Sequence, residues 1–387
     1  RLVFARLATL RNGLLRVREG NEVFQFGVEY TGPHAALTVL DPAFYAEIAF
    51  GGSVGAGESY MLGHWQTNDL TALMRLLLRN RVALDAMETG LARVSAPLRL
   101  AAHWLHRNTR AGNRRNISAH YDLGNNFFRL FLDETMMYSC ALFERPDMTL
   151  AEASTAKLDA VCRKLALGPR DHVLEIGTGW GGFALHAAGR YGCRVTTTTI
   201  SPSQHELARE RGREAGLGDR VTLMLEDYRD LKGSYDKLVS IEMIEAIGHR
   251  NFGDFFRQCA ARLAPGGQML LQSITIADHL YARARDDVDF IKRYIFPGCC
   301  IPSVSSLAQA MAGASDLRIV HLEDIGPHYA TTLARWRDSF LANLERVRAL
   351  GYPESFCRMW EFYLSYCEAG FAERALGDVQ MVLTRNR

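Results

Sequence analysis

The sequence predicts an α/β fold, a parallel sheet covered by helices on both faces, preceded by a small α+β unit. Two observations carry this. From about Asp171 onward, short apolar segments alternate with helical ones, the order of strands joined by crossover helices. A glycine-rich turn also joins the first of these strands to the first helix, as in doubly wound sheets. A length of 387 residues asks for more than one unit, since cores rarely grow past about 250–300 residues. The expected division is 1–105 as the small N-terminal α+β domain and 106–387 as the larger one.

Along the first part, "EVFQFGVEY" and "HAALTVLD" alternate as strands around a Thr-Gly-Pro turn. "GGSVGAGESYMLGHW" reads as a glycine-rich loop, and without a following Lys-Ser/Thr it is no phosphate-binding loop. "DLTALMRLLLRNR" places Leu73, Met74, Leu77 and Leu78 at helical spacing. In the second part "HVLEI" is a strand and "WGGFALHAAGRYG" a helix with Phe183, Ala184, Ala187, Ala188 and Tyr191 on one face. "CRVTTTTI", "RVTLML" and "KLVSI" are strands, and "SQHELARERGREAG" is a helix. "NFGDFFRQCAARLAPGG" is a helix with a Gly-Gly stop before the strand "QMLLQSITI". Two long helices, "TTLARWRDSFLANLERVRAL" and "ESFCRMWEFYLSYCEAGF", follow, and "VQMVLT" is expected as an edge strand.

Composition narrows the class. Hydrophobic residues make up 48% and charged residues 23%, as in soluble globular proteins. No run of 18 apolar residues occurs, so no spanning helix is expected. Arg1 is not a natural start, so a short N-terminal piece is expected to be missing; "RLVFARLATL" is broken by Arg6 and lacks a cleavage site. The eight cysteines form no CxxC pair and no zinc-like spacing, so no metal site is expected and reduced thiols in a cytoplasmic protein are. Net charge is only +2. Yet residues 89–121 hold no acid and carry Arg93, Arg99, Arg107, Arg110, Arg114 and Arg115, with Trp104 among them. This stretch is either a solvated linker or a patch for anionic phosphate.

Two motifs point to chemistry. "VLEIGTGWGG" sets Gly177, Gly179 and Gly181 at a strand-to-helix turn, where glycine lets backbone approach a ligand. Glu175 just before it would repel a pyrophosphate but suits a cationic ligand, which favours S-adenosylmethionine over a dinucleotide. Asp227 and Tyr228 in "LEDY" are placed to meet an adenine, and Thr199, Ser201 and Gln204 stand where a ribose acid is often found. In "KLVSIEMIEAIGH" (237–249) two glutamates, Glu242 and Glu245, lie among Ile, Met and Ala. Burial there would raise a carboxyl pKa.

"SAHYDLGNNFFRLFLDETMMYSCALFE" (118–144), "LEIGTGWGG", "FIKRYIFPGCCIPS" and "PHYATTLARW", in this order, resemble the cyclopropane fatty acid synthase family along nearly the whole chain. The resemblance implies a Rossmann-like class I methyltransferase with a seven-stranded, mostly parallel sheet. It also implies methyl transfer from S-adenosylmethionine to the cis double bond of a phospholipid acyl chain, then proton loss to a bound bicarbonate and ring closure. Cys140, Glu245, the backbone of Ile274, and Tyr329 would cage the bicarbonate. Gln272 stands where the best-known bacterial members carry His, Glu242 where they carry Gly, and Ala246 where they carry His; these mark a branch that includes plant enzymes. The cofactor set implied is Tyr138, Ser139, Glu175, Gly177, Gly179, Thr199, Ile200, Gln204, Asp227 and Tyr228. A carbocation needs a dry site, and methyl transfer to an alkene needs no covalent intermediate, so Cys140 is not read as a nucleophile.

A mid-chain double bond lies deep in a bilayer, and exposing about 16 carbons would cost on the order of 12 kcal/mol. An apolar tunnel is therefore expected, with Tyr294, Phe296, Trp360, Phe362 and Tyr363 as its wall or else as plain core. Unsaturated phospholipid and an anionic membrane surface are the expected partners, at the inner face of the cytoplasmic membrane. A homodimer stays open. The alternatives are a methyl- or methylene-branching acyl methyltransferase of the same family, a non-catalytic lipid-binding protein, and a nucleic-acid methyltransferase. For the last there is no Asn/Asp-Pro-Pro-aromatic motif, and no nucleic acid is expected.

Overall fold

The computed structural model describes residues 2–81 and 123–385; the basic stretch at 89–121 lies outside them. The chain forms two compact units, one of residues 1–105, 287–297 and 333–375, the other of 106–286, 298–332 and 376–387. The expected uninterrupted domain 106–387 is thus divided, because two of its segments fold with the N-terminal residues.

In the first unit, β1 (Gly13–Glu19), β2 (Glu22–Val28), β3 (His34–Val39) and β4 (Trp65–Thr67) form a sheet in the order β2-β1-β3-β4. The two strands expected as neighbours are separated by β1, which runs antiparallel to β2 and parallel to β3. The glycine-rich stretch is helical, not a loop: α2 spans Ala43–Met61 and kinks at Gly52, with φ 57°. Its glycines serve close packing. A Cβ on Gly57 would lie 2.4 Å from Phe290 and 3.2 Å from Phe362. Next, α3 (Leu70–Arg79) is capped by Asp69, which accepts from Ala72 N at 2.8 Å. It buries Leu73, Met74 and Leu76, while Leu77 and Leu78 are only half-buried.

In the second unit we number α4 (Asn125–Phe128), α5 (Leu150–Lys164), β5 (His172–Ile176), α6 (Gly182–His186), β6 (Arg194–Thr199), α7 (Pro202–Glu214), β7 (Val221–Leu225), β8 (Tyr235–Ile241), α8 (Phe252–Arg262), β9 (Leu263–Ile276), α9 (Asp278–Asp286), α10 (Val304–Ala314) and β10 (Leu317–Asp324). After these come α11 (Gly326–Ala342), which begins in the second unit and ends in the first, then α12 (Leu344–Ala349) and α13 (Glu354–Ala372) in the first, and β11 (Leu376–Arg385) in the second. The single long helix expected over 331–350 is two, α11 and α12. At Asn343 the backbone leaves the helical region, and its Nδ2 donates to Ser339 O at 2.9 Å.

The seven-stranded sheet has the order β10-β11-β9-β8-β5-β6-β7. Strands β9, β8, β5, β6 and β7 are parallel, while β11 and β10 join antiparallel. "VQMVLT" is therefore interior rather than an edge; the edge is β10, which is exposed along nearly its whole length. Strand β9 also begins earlier than expected, at Leu263, with a register shift opposite Tyr235 and Lys237. The sheet's two faces separate by the strand period of two. Leu174, Leu238, Leu271 and Met381 pack with Phe252, Phe255 and Phe256 of α8, and Val173, Val239, Leu270 and Val382 pack with Val161 of α5 and Phe183 of α6.

The aromatic residues of the first unit serve its core. Trp360, Phe362 and Tyr363 are buried. Phe362 lies 4.5 Å from Phe290 between ring centroids, and Phe296 lies 6.0 Å from Tyr363. The Tyr294 hydroxyl donates to Glu58. Because Gly57 sits against two of these rings, Gly57→Leu should destabilise the chain. Overpacking costs about 1–3 kcal/mol, more than the helix-propensity gain of about 0.8 kcal/mol. Urea denaturation measures it, and an unchanged or higher midpoint would refute this packing.

Candidate active site

The carboxyl ends of β5, β6 and β8 are where ligands bind in open α/β sheets. At the end of β5 the chain turns through Gly177, Gly179 and Gly181, with φ of 105°, 52° and 88°. Side chains disfavour these values, and glycine does not. A Cβ on Gly179 would meet no atom within 4 Å, so the turn is open on that side. Glu175 is fully buried; its Oε2 accepts from Thr197 Oγ1 at 2.6 Å, and burial lifts its pKa to about 8 despite that bond and Lys157. Beyond β6, Thr199 Oγ1 donates to Gln204 Oε1 at 2.9 Å, and Ser201 caps α7 by accepting from Gln204 N; Ile200 between them is half-buried. This open, glycine-built turn fits S-adenosylmethionine, which needs close backbone approach beside a carboxyl group. Bound there, it supplies a methyl group on a sulfonium.

Other expected cofactor residues are engaged within the protein. Asp227 pairs with Arg229, accepting from Nε at 2.8 Å and from Nη2 at 2.6 Å. Tyr228 is buried edge-on to Phe255 at 5.7 Å. Tyr138 packs on Phe128 at 5.4 Å. Ser139 is buried and accepts from Lys157 Nζ at 2.8 Å.

A second cluster gathers where β8 ends between β5 and β9. Register assembles it. Gln272 on β9 is opposite Gln380 on β11, and Ile274 is opposite Asp378, so these four share one face of the pair. Gln380 Nε2 donates to Gln272 Oε1 at 3.0 Å, and Gln272 Nε2 donates to Asp378 Oδ2 at 3.0 Å. Just past β8, Glu242 has φ 47°, a left-handed value rare outside glycine. Its backbone N–H donates to Gln272 O at 2.9 Å. Its side chain gathers donors. Oε1 accepts from Cys140 N and from Gln272 Nε2, both at 2.8 Å, and Oε2 accepts from the Tyr329 hydroxyl at 2.6 Å.

Glu245, on the short 3-10 turn Ile244–Ile247, is buried. Its Oε1 accepts from Ile274 N at 2.6 Å and from Ser273 Oγ at 2.8 Å, while Oε2 has no partner. Burial first, then the charge of Glu242, push its pKa up to about 8, with its hydrogen bonds opposing. Burial and then Glu242 likewise raise Asp378 far above the carboxylate range. Its Oδ1 has no hydrogen-bond partner. Cys140 is raised for the same reasons, burial leading, so it is a thiol; its Sγ points at Ala141 O at 3.3 Å and Ile325 O at 3.6 Å. A neutral thiol is a poor nucleophile, in line with the sequence reading. Lys157 of α5 is fully buried behind this cluster; burial lowers its pKa, and Glu242 is the largest opposing charge.

Cys140, Glu245, Gln272, Ile274 and Tyr329 are thus brought together. The geometry does not fit the bicarbonate, however. The N–H of Cys140 and the Tyr329 hydroxyl already serve Glu242, as does Gln272, and the N–H of Ile274 serves Glu245. Sequence reasoning missed Asp378, Gln380 and Lys157. The spacing D-x-Q in "LGDVQMVL", two polar groups on one strand face amid apolar residues, was the available signal.

Two outcomes follow from this geometry. Gly179→Asp should weaken cofactor binding by more than about tenfold (1.4 kcal/mol), because a charged side chain would enter the open turn; calorimetry with S-adenosylhomocysteine measures it, and unchanged affinity would remove the cofactor from this turn. Separately, folded Glu245 keeps its proton to about pH 8 against an ordinary 4.5. Between those values the folded state binds more protons than the unfolded one, so Glu245 subtracts stability as pH rises. Glu245→Gln should therefore lose less melting temperature than the parent between about pH 5 and pH 8; equal losses would contradict a buried, protonated Glu245.

A family model described as mycolic acid cyclopropane synthetase matches residues 108–381. Tuberculostearic acid methyltransferase UfaA1 of Mycobacterium tuberculosis is 40% identical over 341 residues, covering 86% of this chain and 79% of that protein. Cyclopropane-fatty-acyl-phospholipid synthase of Escherichia coli K12 is 35% identical over 379 residues, covering 95% and 93%. The crystal structure of mycolic acid cyclopropane synthase CmaA1 complexed with SAH and CTAB superposes with a TM-score of 0.66 at 32% identity, covering 70% of this chain and 98% of that one. The chain belongs to the mycolic acid cyclopropane synthetase family and is an S-adenosylmethionine-dependent methyltransferase.

Proposed function

We propose that this enzyme methylates the cis double bond of an unsaturated phospholipid acyl chain and closes a cyclopropane ring by removing a proton. The observation that carries this reading is the buried carboxyl cluster beside the cofactor turn. Methyl transfer to an alkene leaves a carbocation, and a site for it must exclude water while holding one negative group. Glu242 with its three donors, enclosed by buried Cys140, Glu245, Gln272 and Asp378, meets both demands. Similarity to the Escherichia coli synthase along nearly the whole of both chains supports phospholipid as the substrate class.

A second reading is favoured by a specific observation. Glu242 replaces the glycine of the best-known cyclopropane-forming members, and a relative at 40% identity is named a tuberculostearic acid methyltransferase. A hydride shift before proton loss would then give a methylene- or methyl-branched chain. In both readings the acyl chain comes from a membrane, with the enzyme at the cytoplasmic surface; Arg110, Arg114 and Arg115, outside the described residues, supply positive charge for anionic headgroups. Among the described residues no helix is long and apolar enough to cross a membrane, which accords with a peripheral enzyme.

Incubation with S-adenosylmethionine and vesicles of unsaturated phosphatidylglycerol tests this, with mass spectrometry of the released fatty acids. We expect a mass gain of one CH2 and a ring. A gain with retained unsaturation selects the branched reading, and no transfer to any phospholipid rejects both. Turnover should be higher on anionic than on zwitterionic vesicles, and the difference should shrink with salt.

A further inference from the structure

We propose that Glu242 is the resident anion and base of this site, in place of a bound bicarbonate. The inference rests on the acyl methyltransferase reading above and names its proton acceptor. It stands on three observations. First, the donors a bound bicarbonate would need are already spent on protein carboxylates, and three of the four converge on Glu242: Cys140 N at 2.8 Å, Gln272 Nε2 at 2.8 Å and the Tyr329 hydroxyl at 2.6 Å. A carboxylate and a bicarbonate present the same planar O–C–O edge with its charge, so the same fan of donors serves either. Second, Glu242 holds this place in a left-handed conformation, φ 47°, where a side chain costs roughly 1–2 kcal/mol and glycine nothing. A strained residue kept at a site whose donors converge on its side chain marks function. Third, neighbours are arranged for one charge here: the Gln272 amide joins Glu242 Oε1 at 2.8 Å to Asp378 Oδ2 at 3.0 Å, burial and the charge of Glu242 push the Asp378 carboxyl toward its neutral form, and Lys157 is buried beside the same cluster.

The step then balances within the chain. The alkene π pair forms the new bond to the methyl carbon, the carbon–sulfur bond breaks, and sulfur leaves with its pair as S-adenosylhomocysteine. The carbocation left on the second alkene carbon loses a proton from the added methyl group to Glu242. That C–H pair forms the third ring bond, and the neutral Glu242 carboxyl passes the proton on after turnover. Gln272 is a positioning residue in this scheme. An amide cannot take the proton, but it fixes Glu242 Oε1 and links it to Asp378.

The test compares the parent, Glu242→Gln and Glu242→Gly, in buffer stripped of carbon dioxide and with added bicarbonate. The parent should transfer methyl groups equally in both, within about twofold, and Glu242→Gln should fall about 10²–10⁴-fold, the range for a lost general base. Glu242→Gly restores the backbone's preferred residue and frees the three donors, so it should be inactive when stripped and recover in part with bicarbonate. Binding of ¹³C-bicarbonate, followed by NMR line broadening, gives a readout independent of turnover: none on the parent, measurable on Glu242→Gly. Parent turnover that collapses without carbon dioxide, bicarbonate binding to the parent, or full activity of Glu242→Gln would each overturn the proposal. A parent that transfers no methyl group to any lipid would instead reject the acyl methyltransferase reading, while the binding experiment still decides whether Glu242 fills the bicarbonate's place.

Discussion

The rest of the site depends on one constraint: three carboxyl groups, half-buried Glu242 and buried Glu245 and Asp378, are gathered beside the buried Lys157. Ionised carboxyls that close repel, and the interior screens them poorly. The structure resolves this by division. Burial and the neighbouring charge of Glu242 keep protons on Glu245 and Asp378. Glu242 collects a backbone N–H, an amide and a phenol, the pattern that stabilises a carboxylate. Three donors converging on one carboxyl group amid buried neighbours is the arrangement an alkene-derived cation requires.

The fold supplies this through strand register. Strand β9 presents Gln272 and Ile274 on one face, and β11, paired antiparallel, sets Gln380 and Asp378 opposite them. A slip of one residue would turn all four to the other face, where Leu271 and Met381 pack with Phe252, Phe255 and Phe256 of α8. The interior position of β11 is thus functional as well as structural. The backbone reversal at Glu242 then folds the segment after β8 over these strands, so that Glu245, three residues on, reaches Ile274 N.

Some elements were readable locally because their signals are local. The glycine turn after β5, the alternating apolar segments from 171 onward, and the helices α8 and α13 follow from periodicity and turn residues alone. Others were misread because a partner decides them. The glycines between 51 and 63 look like a loop, yet they let α2 approach Phe290 and its own carbonyl at Glu47. The strand 376–385 reads as an edge because it closes the chain, whereas β10, which comes before it in sequence and is exposed along nearly its whole length, pairs onto it from outside. The aromatic residues of α13 could have been wall or core, and they pack as core on Phe290 and Phe296.

By itself, the sequence determined the fold class and the cofactor turn, since these are carried by residue types at fixed spacing; the grouping of Cys140, Glu245, Gln272, Ile274 and Tyr329 came from the family resemblance that its motifs carry. Which carboxylate those donors serve was decided only by tertiary structure. Glu242 and Glu245 stand three residues apart in the same apolar stretch, and nothing local separates them. The left-handed turn at Glu242 and the β9–β11 register direct one to Cys140, Gln272 and Tyr329 and the other to Ser273 and Ile274. Asp378, 136 residues after Glu242, and Lys157, 85 residues before it, enter the same electrostatic balance only once the chain is folded, because charge interaction depends on distance in space and on the water excluded between the groups.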